Sequence, residues 1–252
     1  MAEAGVLVVI PALNEDGNIG QTVEQIRALG RPWDILVVDD GSSDQTADKA
    51  RLAGADVLRS PFHIGIGGAV SLGLLYARKK GYRAVIRVDA DGQHEAASME
   101  TVLRPVEEGK ADLCVGSRFL SMEGYRPSLP RRIGIIFFAR LISVLTGGKV
   151  TDPTSGFCAF SPDAIRLFSD HYPPDYPEPE AIVIARRAGL VVEEVPVRMQ
   201  DRVSGLSSIR YLKTLYYMIK VTLAIVLNYL KPIFYKEQRT ENKRETKNRR
   251  RT

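Results

Sequence analysis

Two carboxylates stand at i and i+2 in the stretch Asp89-Ala90-Asp91-Gly92-Gln93-His94, directly after an apolar run at residues 85–88. Where a strand breaks into a loop, such a pair can reach one hard cation, which in turn takes oxygen partners such as a diphosphate. The plain alternative is a surface turn, since Asp-Gly is a common turn pair. Two further clusters weigh against it. Asp39-Asp40-Gly41-Ser42-Ser43-Asp44 closes an earlier apolar run in the same manner, and Pro11-Ala12-Leu13-Asn14-Glu15 closes the first. Polar loops at three strand ends converge on one crevice, and that convergence makes a ligand site the better reading.

The elements that must hold these loops alternate along the first half of the chain. Short β-branched runs at 6–10, 35–38, 56–58, 84–88 and 113–116 read as buried strands bounded by Pro, Gly or Asp. Between them, 18–29, 44–53, 67–80 and 96–108 carry apolar residues at helical spacing. Strand–helix alternation predicts a mostly parallel α/β sheet flanked by helices, with ligands beyond the carboxyl ends of the strands. The second half changes character: 129–146 is strongly apolar, 151–160 is turn-rich and runs into a short strand, and 173–180 is rich in proline and acid. Residues 190–197 read as another strand.

Composition narrows the class. With 44% hydrophobic and 26% charged residues, 252 residues exclude a disordered, collagenous or polytopic membrane chain. The formal charge of +5 resides in residues 236–252, where eight basic side chains face three acidic ones. The body is neutral, so the basic pI does not indicate a nucleic-acid partner. Cys114 and Cys158 lie in apolar stretches without metal-ligand spacing and read as buried thiols. The N-terminal apolar run lacks a basic leader and is broken by Pro11, Asn14 and Glu15, which predicts a cytoplasmic protein.

With Gly116-Ser117-Arg118 and Thr154-Ser155-Gly156-Phe157 added, the three loops resemble the signatures of family 2 glycosyltransferases, in the branch of dolichyl- and polyprenyl-phosphate sugar transferases. The resemblance covers roughly residues 5–208. It implies a Rossmann-like, glycosyltransferase A-type fold, a nucleotide-sugar donor (GDP- or UDP-linked), Mg²⁺ or Mn²⁺, and an inverting displacement at the anomeric carbon. Carried over, Pro11, Leu13, Glu15, Asp40, Asp89 and Ala90 would line the nucleotide pocket, with Asp40 on the base or ribose. Asp89, Asp91 and Gln93 would hold the metal. Arg118 and Arg131, with Arg132 competing for the second role, would grip phosphates. A forked guanidinium suits phosphate better than a point charge.

One departure bears on the acceptor. Where that branch often carries a phosphate-clamping lysine, this chain has Ser208, leaving Arg202 or Arg210 as substitutes. Glu178 and Glu180 fall where members with hydroxyl acceptors keep a general base; the alternative for both is a helix start. A sugar hydroxyl needs a base, whereas a phosphate is already ionised. Both acceptors stay open, with polyprenyl phosphate preferred and Glu180 as the candidate base for a glycan acceptor. The glycine run at 65–68 reads as a tight turn, with His63 beside it either structural or touching the sugar.

Three segments follow: a catalytic domain at 1–206, an amphipathic interface helix at 207–235 and a basic tail at 236–252. The uncharged stretch 221–230 is about half the length a spanning helix needs. A narrow stripe of Lys213, Lys220 and Lys231 flanks a wide apolar face that includes Ile219, Leu223, Ile225 and Leu230. That pattern predicts peripheral attachment to the inner face of the cell membrane, while packing on the protein's own core or between subunits of a homo-oligomer remains the alternative.

Overall fold

The computed structural model describes residues 5–92, 95–120, 129–198 and 211–230. The first apolar run forms β1 (Val6–Ala12), buried over its whole length. Helices cover both faces of a parallel sheet, so its strands read as continuous apolar runs. There follow α1 (Ile19–Arg27), β2 (Trp33–Asp39), α2 (Thr46–Leu52), β3 (Asp56–Arg59), α3 (Gly65–Lys80), β4 (Ala84–Arg87), α4 (Ser98–Glu107) and β5 (Leu113–Ser117). The second half contributes α5 (Leu129–Thr146), β6 (Cys158–Phe160), α6 (Pro162–His171), α7 (Pro177–Arg187), β7 (Val192–Pro196) and α8 (Tyr211–Leu230).

One seven-stranded sheet results, in the order β3-β2-β1-β4-β6-β5-β7. The order reverses between β1 and β4, which opens a crevice at their carboxyl ends. Among the described residues, only β6 runs antiparallel to its neighbours, β4 and β5. The alternation of the first half gave no warning of that reversal.

Successive side chains of β1 point to opposite faces, and the core divides accordingly. Val6, Val8 and Ile10 join α1 and α4 on one face. Leu7 and Val9 join α3, α6 and α7 on the other. Each such fully buried aliphatic side chain contributes about 1.5–3 kcal/mol, which makes the strand ends a firm platform for their loops. Both cysteines are free and buried, and burial pushes the Cys158 thiol up to about 12.

Helix α6 was not read from the sequence, although its signal is present. The Ser161 hydroxyl accepts from the Ala164 N–H, and Pro162 occupies the first turn. Helix α8 departs from the expected interface helix in one respect. Val221 and Ile225 are buried with Phe138 and Ile142 of α5 and Ile182 and Val183 of α7. Ile225 therefore belongs to the core, and the exposed apolar stripe is Ile219, Leu223, Leu227 and Leu230. Among the described residues, no helix is long and apolar enough to cross a membrane.

Candidate active site

The loops after β1 and β2 are knitted together by backbone donors. The N–H groups of Asn14, Glu15 and Asp16 donate to Ser42, Thr46 and Asp44 side chains at 2.9, 2.9 and 3.2 Å. In return the Asn14 side-chain oxygen accepts from the Ser43 N–H at 2.9 Å. Asn14 has φ 53°, a conformation that asparagine tolerates better than most side chains. Burial opposes the charge of Asp44, but its bonds to Thr46 and Asp16 outweigh it and hold the carboxyl below its ordinary value. The third loop is tied to α1 by the Thr22 hydroxyl, which donates to the Ala90 carbonyl at 3.2 Å.

These ties shape a cleft of about 320 Å³ lined by Pro11, Leu13, Glu15, Asp40, Asp89, Ala90 and Asp91, together with Ala12, His63, Ile66 and Ala69. Every residue expected of the nucleotide pocket lies on it, as do both carboxylates expected of the metal site. Gln93, Arg202 and Ser208 lie outside the described residues, and with Gln93 goes the third expected metal ligand. Among the described residues, no group of three metal-ligating side chains is assembled. Asp89 and Asp91 offer hard oxygen donors at the mouth of the crevice. That donor set fits a divalent cation that completes its shell with phosphate and water.

Asp40 is buried, and its carboxylate is heavily used. It accepts from the Ile64 and Gly65 N–H groups at 2.7 and 3.0 Å, which caps the start of α3, and pairs with His63 Nδ1 at 2.8 Å. The glycine run after it serves packing: a Cβ on Gly67 would stand 2.2 Å from the Pro173 carbonyl oxygen. The expected tight turn is instead the first turn of α3, where the missing side chain lets the helix meet the 173–174 backbone.

A residue the sequence reading missed sits beneath the third loop. Arg87 is wholly buried in β4 and donates to Tyr172 at 2.9 Å, Glu178 at 2.7 Å and Asp89 at 3.3 Å. Desolvation works against its charge, but Tyr172, Glu178 and Asp89 hold it protonated, well above the ordinary guanidinium value. A charged residue inside the apolar run 84–88 was the available signal. Gly156 closes this cluster, since a Cβ there would lie 2.7 Å from Asp89 Oδ2.

The remaining expected residues that the structure describes are not among those lining this cleft. Arg118 is buried, and its Nε and Nη2 form a fork on the fully buried Asp152 at 2.6 and 2.7 Å. Glu194 fixes the same loop by accepting from the Thr151 and Asp152 N–H groups at 2.7 and 2.9 Å. Glu180 is buried and accepts from the Asn228 side chain on α8. Residues two apart on a helix point about 200° apart, so α7 turns Glu178 toward Asp89 and Glu180 toward α8. Arg131 and Arg132 are exposed in the first turn of α5.

The fold is that of a mixed α/β protein with a mostly parallel sheet, and comparison with known proteins gives its family. The glycosyl transferase family 2 model matches residues 7–168. The chain belongs to glycosyl transferase family 2. It is 37% identical over 200 residues to the uncharacterized protein MJ1222 of Methanocaldococcus jannaschii, covering 77% of this chain and 80% of that one. It is 31% identical over 211 residues to the polyprenol monophosphomannose synthase of Mycolicibacterium smegmatis, covering 80% and 79%. A crystal structure of glucosyl-3-phosphoglycerate synthase from Mycobacterium tuberculosis, in complex with Mn²⁺, uridine diphosphate and glucosyl-3-phosphoglycerate, superposes with a TM-score of 0.69. That structure shares 24% identity and covers 92% of this chain and 82% of its own. The protein is a glycosyltransferase resembling the polyprenyl-phosphate sugar transferases.

Proposed function

We propose that the enzyme moves a sugar from a nucleotide-sugar donor to a polyprenyl-phosphate acceptor at a membrane surface, by direct inverting displacement. One observation carries the choice of acceptor: neither glutamate on α7 is among the residues lining the cleft, and both are engaged by other side chains. Glu178 is ion-paired with Arg87 and Glu180 is bonded to Asn228. A phosphate acceptor arrives ionised and needs no base, whereas a hydroxyl acceptor does. The likeness to a polyprenol monophosphomannose synthase supports the same choice.

On the donor side, the cleft seats the nucleotide, with Asp89 and Asp91 toward its diphosphate. A divalent ion bound there would stabilise the charge that develops on the departing diphosphate, and the similar glucosyl-3-phosphoglycerate synthase was solved in complex with Mn²⁺ and uridine diphosphate. Pro11, Leu13 and Ile66 give the pocket apolar walls, and Glu15 and Asp40 hold its loops in place. On the membrane side, the stripe Ile219, Leu223, Leu227 and Leu230 of α8 and the exposed Leu129, Ile133 and Val144 of α5 offer apolar contact. The basic tail is drawn to anionic headgroups.

Turnover with undecaprenyl phosphate tests the reading, using UDP- and GDP-linked sugars with Mn²⁺. A lipid-linked monophosphate sugar is the expected product. Transfer to a glycan hydroxyl, with none to the lipid, would overturn it.

A further inference from the structure

Among the described residues, the cleft lining contains four carboxylates, Glu15, Asp40, Asp89 and Asp91, and a single imidazole, His63. The His63 side chain is 62% exposed, yet its position is fixed. Asp40 accepts only, so His63 Nδ1 must donate to it at 2.8 Å. In the neutral ring that leaves Nε2 as an acceptor. Asp40 itself is 4% exposed, and both its oxygens already cap α3. Nε2 of the exposed His63 is therefore better placed than buried Asp40 to take a ligand at this end of the cleft.

Topology says which part of a nucleotide reaches it. Strands β2, β1 and β4 are successive neighbours, so the end of β2 stands two strand spacings, about 9–10 Å, from the end of β4. If the diphosphate lies at Asp89 and Asp91 after β4, the nucleoside extends toward Asp40 and His63. We propose that His63 is a donor-binding residue: Nε2 accepts a hydrogen bond from the nucleoside, from either a base N–H or a ribose hydroxyl, while Asp40 acts as its positioning residue. The inference rests on the nucleotide-sugar reading of the cleft.

Two substitutions separate binding from support. In His63→Asn the amide nitrogen takes the place of Nδ1 and keeps the Asp40 bond, but nothing replaces Nε2. In His63→Gln the amide reaches the place of Nε2 and loses the Asp40 bond. Titration of UDP and GDP with Mn²⁺ identifies the nucleotide that the unsubstituted protein binds, and the matching nucleoside is followed by ligand-observed NMR.

Against both ligands, His63→Asn should lose about tenfold in affinity, the worth of one hydrogen bond, with the melting temperature unchanged. His63→Gln should melt lower yet bind within about threefold of the unsubstituted protein, since an amide can still accept at that point. A 2′-deoxy nucleotide and an N-methylated base distinguish the two sources: the analogue lacking the contacted donor should bind His63→Asn and unsubstituted protein equally. Unchanged affinity in His63→Asn overturns the inference. So does a loss confined to the diphosphate with the nucleoside unaffected, and so does parallel loss of affinity and stability in both variants. If the unsubstituted protein binds neither nucleotide, the reading of the cleft fails first.

Discussion

The two halves of the molecule use charge in opposite ways. In the half built from β1 to β4, Glu15, Asp89 and Asp91 line an open cleft, and the loops that carry them are held by backbone N–H groups and hydroxyls. In the half from β5 onward, charges are spent on one another or on nearby backbone. Arg118 forks onto Asp152, Glu194 holds the 151–152 backbone, and Glu180 meets Asn228. The difference is physical. Asp89, which Arg87 also meets, and Asp91 still line the cleft, because other groups fix the loop that carries them. A charge buried without a ligand must find an internal partner, because desolvation costs several kcal/mol per ion. Arg87 is where the two halves meet, with Asp89 on one side and Glu178 on the other.

The sharpest way to break this contrast is Asp91→Asn. A carboxamide keeps the shape but not the charge, so Mn²⁺-dependent nucleotide affinity and turnover should both fall, turnover by about 10²-fold or more, while the melting temperature holds. Calorimetry with and without Mn²⁺ measures the first and thermal denaturation the second. An unchanged donor affinity would remove Asp91 from the site.

The mirror experiment lies in the other half. Asp152→Ala leaves the buried Arg118 without its fork, and breaking a buried pair by removing one partner costs about 3–5 kcal/mol. Chemical denaturation should show that loss, with nucleotide affinity retained in the protein that remains folded. A stable variant that has lost turnover alone would mean Asp152 and Arg118 act on the reaction, and the division between the halves would fail.

What the sequence disclosed follows the same division. Strand ends are punctuated locally, by Pro11, Asp39-Asp40-Gly41 and Asp89-Ala90-Asp91-Gly92, and a parallel sheet sends all three loops to one edge whatever the details of packing. The cleft was legible for that reason. Partners such as Asp152 for Arg118, or Asn228 for Glu180, lie 34 and 48 residues away. No local pattern announces them. Arginine in a phosphate-binding motif and arginine in a buried fork read alike until the fold supplies the counter-charge. Helix α8 was half legible: its composition showed two faces, but which apolar residues meet α5 and α7 is settled only by packing.

That half-legible helix supports a prediction of intermediate size. Because Val221 and Ile225 anchor α8 to the body, removing the helix would disturb the core along with any membrane contact. Leu223→Glu with Leu227→Glu alters the exposed stripe alone. The pair should reduce flotation with anionic liposomes several-fold and leave the melting temperature within a few degrees, since surface substitutions are usually within ±0.5 kcal/mol each. Undiminished flotation would assign the attachment to α5 or the tail.

The smallest effect is expected at Glu180, and its smallness is informative. Were Glu180 a general base, Glu180→Gln should lower turnover about 10²–10⁴-fold with donor binding intact. Its place against Asn228 on α8 argues otherwise. Glutamine is nearly isosteric and can still accept through its amide oxygen, so the contact survives in weakened form, a neutral hydrogen bond replacing a charge-assisted one. Turnover with undecaprenyl phosphate should stay within about tenfold, alongside a modest drop in melting temperature, as expected for a net contribution of about 1 kcal/mol. Steady-state rates and melting curves on the same preparation decide between the two. A collapse of rate without a change in stability would give the acceptor half a catalytic carboxylate, and with it a hydroxyl acceptor.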